Sequence, residues 1–76
     1  MKLGAWIQKE ITEGRASGLK DAYRQLSEQI EKKGGETVSA QTIENAAGGM
    51  LLKKYGKAKA ISEATKGAVS ISELCE

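Results

Sequence analysis

The chain has 76 residues, and its 12 Lys and Arg against 10 Asp and Glu give a formal net charge of only +2, far from the excess of a protein that coats nucleic acid without selectivity. With no His and one Cys, a Cys/His metal set, an intrachain disulfide and a Ser-His or Cys-His nucleophile pair are excluded, so neither an enzyme nor a cofactor is expected. Phe and Pro are absent and the aromatics are Trp6, Tyr23 and Tyr55; the core must be mainly Leu, Ile, Val and Ala, which suits an all-α domain of small, closely packed helices.

The length corresponds to one domain over residues 1–76, burying ~60% of its unfolded surface, so that a partner chain would add to a small core. No apolar run approaches the ~20 residues of a membrane span, and Met1 to Ile7 is too short for the apolar region of a signal peptide. A cytoplasmic protein with no membrane association and no small-molecule ligand is expected.

In chain order, Leu3, Trp6, Ile7 and Ile11 follow helical spacing and predict a first helix over Lys2 to Glu13, stopped at Gly14. An indole at an apolar helical position belongs in the core more often than at a partner surface. Ser17 and Gly18 open a second helix in which Leu19, Ala22, Tyr23, Leu26 and Ile30 form one stripe. Glu31, Lys32 and Lys33 extend it before Gly34 and Gly35 break it. These glycines, like Gly48-Gly49, lack the context of a phosphate-binding loop and are taken as helix breakers.

The most informative stretch begins at Val38. Ser39 is placed to cap a third helix on which Gln41, Thr42 and Asn45 share an exposed face while Ile43 and Ala46 face inward, the construction of a recognition helix. After Gly48 and Gly49, Met50, Leu51 and Leu52 either continue this helix or fold back into the core, and either arrangement can contribute to a dimer surface. Lys53, Lys54, Lys57 and Lys59 follow with no acidic residue among them, which suits a loop lying against phosphates as well as a solvated basic turn.

A fourth helix is expected over Lys57 to Lys66, with Ala58, Ile61 and Ala64 or Thr65 inward and Gly67 as its stop. Ser70, Ile71, Ser72 and Glu73 spell a capping box for a short fifth helix carrying Ile71, Leu74 and Cys75. The alternation of Val69 to Ser72 suits a strand too, and helix is preferred. Cys75 is taken as an incidental thiol.

The run Ser39, Ala40, Gln41, Thr42, Ile43, Glu44, Asn45, Ala46, Ala47, Gly48, Gly49, with the basic stretch and then Ile61, Ala64, Gly67, Val69, Ser70 and Leu74, resembles the helix-turn-helix domains of temperate-phage repressors and Cro proteins over roughly the C-terminal half. The resemblance implies a five-helix domain that binds double-stranded operator DNA as a homodimer and represses by occlusion. Gln41, Thr42 and Asn45 would contact bases, and Ser39, Lys53, Lys54 and Lys57 phosphates. Met50, Leu51, Leu52, Ile71 and Leu74 are the expected dimer contacts.

Three departures from that pattern are visible. The connection before Val38 is longer than the family's tight turn. Ala40 stands where a base-contacting Gln is frequent. The family's phosphate-contacting Gln at the start of helix two is missing, with Ser17 or Lys20 as substitutes. Glu44 is expected to be solvated or locally paired, with acceptance from a cytosine as the alternative. The rival reading is a small phage or antitoxin-like interaction module that keeps this fold and binds protein through Trp6, Met50, Leu51 and Leu52, since fold alone does not establish DNA binding.

Overall fold

Apolar residues at helical spacing set both the helices and the faces they bury. In the computed structural model, which describes residues 1–34 and 36–75, α1 (Leu3–Thr12) buries Leu3 and Ile7, with the expected ends Lys2 and Glu13 serving as its caps. Trp6 and Ile11 are half-buried and pack against the core. Helix α2 (Leu19–Lys32) buries Ala22, Tyr23, Leu26 and Ile30. Leu19, expected on the same stripe, stays 46% exposed, because the stripe reaches the first turn of the helix while its packing begins at Ala22. Gly34 lies in the turn that follows α2, and the expected breaker Gly35 falls outside the described residues.

Helix α3 (Ala40–Ala47) is capped as expected: the Ser39 hydroxyl accepts from the Thr42 N–H at 3.2 Å, satisfying a donor that the first turn leaves without a carbonyl. Ile43 and Ala46 are buried, and α3 packs on both α2 and α1. The contact with α1 depends on Gly4. A Cβ built there would stand 2.7 Å from the Ala47 carbonyl oxygen, so the missing side chain lets the two backbones meet.

Helix α4 (Tyr55–Ala64) starts before the expected Lys57, with Lys54 at its N-cap, and buries Ala58, Ile61 and Ala64 against α2. Its end turns through Lys66 (φ 58°) and Gly67 (φ 81°), two successive left-handed residues, of which the second is the type that adopts this conformation without a Cβ penalty. Buried Thr65 organises the turn by donating to the Ser62 oxygen at 2.9 Å and accepting from the Val69 N–H at 3.2 Å.

The short helix α5 (Ile71–Leu74) packs on α4, in agreement with the preference for helix over strand. The expected capping box does not form. The Ser70 hydroxyl lies 3.1 Å from that of Ser72 instead of reaching the helix N–H groups. The Glu73 carboxylate is drawn away to the Met1 amine, 3.2 Å distant. A full charge on α1's side competes better for that carboxylate than a neutral N–H does.

Met50, Leu51 and Leu52 neither continue α3 nor act together. Leu52 folds into the core, its N–H donating to the Leu74 oxygen at 2.7 Å, and it forms an isolated parallel bridge with Cys75. Leu52 and Leu74, expected at a dimer surface, are therefore core residues of their own chain, 9% and 2% exposed. A domain this small needs them to anchor its last segment. Ile71 is half-buried, whereas Met50 and Leu51 remain at the surface.

Candidate nucleic-acid interface

The outward face of α3 carries Gln41, Glu44 and Asn45, all exposed, with Thr42 half-buried at its edge. Their order follows from helix geometry, since residues three and four apart are neighbours on the surface. The Gln41 side-chain nitrogen donates to Glu44 Oε2 at 3.0 Å and to Asn45 Oδ1 at 3.2 Å. A carboxylate can only accept, so Glu44 decides which end of the Gln41 amide faces it. Gln41 in turn orients the Asn45 amide. Three expected or adjacent site residues are thus held as one hydrogen-bonded row.

Ser39 and Thr42 form a second pair, their hydroxyl oxygens 3.0 Å apart. The Ser39 oxygen, expected at a phosphate, is occupied with capping α3. Across from the row, an open groove of about 270 Å³ between α2 and α3 is lined by Lys20, Tyr23, Ala40, Gln41 and Glu44. Lys20 therefore shares a groove with the α3 face. Ala40 at its wall makes room where a longer side chain would fill the groove.

The long connection between α2 and α3 is held by side chains from α2 itself and from α4. From α2, the Ser27 hydroxyl donates to the Val38 oxygen at 2.6 Å. From α4, the Lys57 ammonium donates to the Thr37 oxygen at 2.7 Å and lies 3.9 Å from the Glu36 carboxylate. Val38 itself is fully buried. A seven-residue connection over 33–39 thereby delivers α3 onto α2 with Ile43 inside, in place of a tight turn. Neither contact is visible in the sequence: Ser27 lies off the apolar stripe of its helix, and Lys57 reads there as one more lysine of a basic run.

The basic cluster is consequently divided. Lys53 and Lys54 are exposed on the connection after α3, while Lys57 is half-buried and engaged within the chain. Lys59 is exposed on α4.

At the start of α2, the Asp21 carboxylate accepts from the Ser17 N–H at 3.0 Å and from Gln25 at 2.8 Å, and pairs with Arg24. The Ser17 N–H, followed by the Arg24 guanidinium, lowers the Asp21 pKa from 3.8 to about 2, because both favour the charged form. Ser17, the other candidate for the missing glutamine, thus has its backbone tied to α2.

Among the described residues no cluster of three or more Cys, Asp or Glu side chains is placed to hold a metal ion, and no helix is long and apolar enough to cross a membrane. No family model, curated protein or solved structure matches this chain.

Proposed function

We propose that the chain is a sequence-specific DNA-binding regulator of the Cro or repressor type, cytoplasmic and non-enzymatic, acting as a homodimer that occludes an operator. The observation that carries this reading is the exposed row Gln41, Glu44, Asn45 on a short capped helix whose opposite side, Ile43 and Ala46, is packed on α2. An amide-rich face on a rigidly seated helix is suited to the major groove, where the Asn45 amide matches the N6 and N7 edge of adenine and the Gln41 oxygen can accept from a base. Thr42 stands at the rim of that face. Lys20, Lys53 and Lys54 supply positive charge for phosphates, and a dimer would place two such helices about one DNA turn apart.

Selection of binding sites from a random duplex pool tests the reading. Gln41→Ala and Asn45→Ala should each cost roughly 1 to 3 kcal/mol on the selected site while binding to random DNA changes little. Unchanged site preference in both variants would remove α3 from the interface.

A second reading is favoured by one feature: Met50, Leu51 and Tyr55 are 63%, 45% and 60% exposed within a short stretch. Such a surface suits a protein partner. A pool that yields no enriched sequence, with no retention on random DNA at low salt, would favour this reading over the first.

A further inference from the structure

Helix α3 carries no Lys or Arg, so the commonest specific base contact, a basic side chain on guanine O6 and N7, is unavailable from it. Its charge is instead negative. Glu44 is exposed and no ion pair to it forms among the described residues. An uncompensated carboxylate on a surface that meets phosphates costs affinity for every DNA sequence. A matching contact that only some sequences provide turns that cost into discrimination.

Glu44 accepts from the Gln41 amide with one oxygen, Oε2, and a carboxylate has capacity for about four hydrogen bonds. Only donors can satisfy the remainder. In the major groove, cytosine presents the N4 amine and no acceptor, the complement of a carboxylate. Both hydrogens of the Gln41 amide nitrogen are directed at Glu44 and Asn45. What Gln41 has left to offer a base is therefore its oxygen, a second acceptor beside the first.

Resting on the proposed DNA-binding reading, we infer that Glu44 is a specificity-determining residue: it accepts from the N4 amine of a cytosine in each half-site and, by fixing the Gln41 amide, makes the start of the reading face an acceptor surface. Guanine is rejected at that position because its O6 and N7 would face the carboxylate unpaired. The same charge suppresses binding to random DNA, so the residue lowers background and sharpens choice together.

Sites are selected from random duplex with the wild-type chain, E44Q and E44A, all at one salt concentration. The wild type should enrich a cytosine at one position of each half-site, and both variants should lose that preference while binding random DNA more tightly. The decisive probe is the wild-type site with N4-methylcytosine at that position, which keeps the Watson–Crick pair but replaces the groove-facing hydrogen by a methyl group. It should weaken wild-type binding by about 5- to 150-fold, the range for one base contact, and leave E44A unaffected. The same site with 5-methylcytosine, which adds bulk but keeps the amine, should bind the wild type nearly normally.

Equal losses for the wild type and E44A on N4-methylation, equal losses with the two methylated bases, or an unaltered cytosine preference in E44A would overturn the role of Glu44 while leaving DNA binding intact. Failure of the wild type to enrich any site would instead overturn the DNA-binding reading itself, and this inference with it.

Discussion

The Lys57 ammonium donates to the main-chain oxygen of Thr37 at 2.7 Å, joining α4 to the segment that leads into α3 across twenty positions of sequence. A cation engaged in this way holds the docking of α3 and has less to give to a phosphate. Lys53 and Lys54, exposed on the connection between the two helices, carry no such duty.

These lysines should therefore separate in experiment. Lys57→Met, which keeps most of the alkyl stem, should lower stability by roughly 1 kcal/mol, the net worth of one hydrogen bond, and leave the salt dependence of DNA binding nearly unchanged. Lys53→Ala and Lys54→Ala should do the reverse, each flattening the log-log salt slope by about 0.9. Urea unfolding followed by helical signal, together with salt titrations of binding, measures both quantities. A slope change for Lys57→Met as large as that for Lys53→Ala would return Lys57 to the interface.

Asp21 makes a prediction about acid. Its folded pKa of about 2 lies below the ordinary 3.8, so the folded state favours the charged form. The resulting stability is fully present above about pH 4 and is lost as pH falls toward 2. Asp21→Asn should remove this component at neutral pH and give a shallower decline of the unfolding midpoint below pH 4. Identical pH profiles for the two proteins would show that the Ser17 and Arg24 contacts do not persist in solution.

Gly4 should not tolerate a methyl group. Its added Cβ would meet the Ala47 carbonyl oxygen at 2.7 Å, and backbone on both sides leaves no flexible side chain to yield. Gly4→Ala should cost roughly 1 to 3 kcal/mol as an overpacked contact, despite the better helix propensity of Ala. Ala5 is exposed on the same helix, and Ala5→Gly provides the control, with a loss of about 1 kcal/mol from propensity alone. A Gly4→Ala variant as stable as the parent would mean that α1 and α3 are free to separate.

Of the expected dimer contacts, Met50 and Leu51 stay exposed and Ile71 half-buried once Leu52 and Leu74 are assigned to the core, and the proposed homodimer would pack through the first two. Replacing Met50 and Leu51 together by Ser should shift sedimentation toward the monomer and weaken binding to a two-fold site more than to a half-site, since a dimer gains its second contact at high effective concentration. Unfolding midpoints should hardly move. If the double variant still assembles two-to-one on the full site as the parent does, the contact lies elsewhere, with half-buried Ile71 as the next position to test.

Local chemistry was strong enough to specify much of this chain. Leu3 and Ile7, the stripe from Ala22 to Ile30, Ile43 with Ala46, and Ala58 with Ile61 and Ala64 each repeat at the helical period, so both the helix and its inward face are written in adjacent residues. Ser39 is legible for the same reason, because an N-cap acts on an N–H three positions away. What tertiary structure decided involves partners distant in sequence. The capping box at Ser70 and Glu73 was outcompeted by the Met1 amine. The fate of Leu52 depended on a bond to Leu74, and the seating of α3 on Ser27 and Lys57. A side chain's nearest neighbours along a helix follow from its spacing, but the choice between a local bond, a distant charge and the core is made by relative strengths that exist only when the helices are packed together.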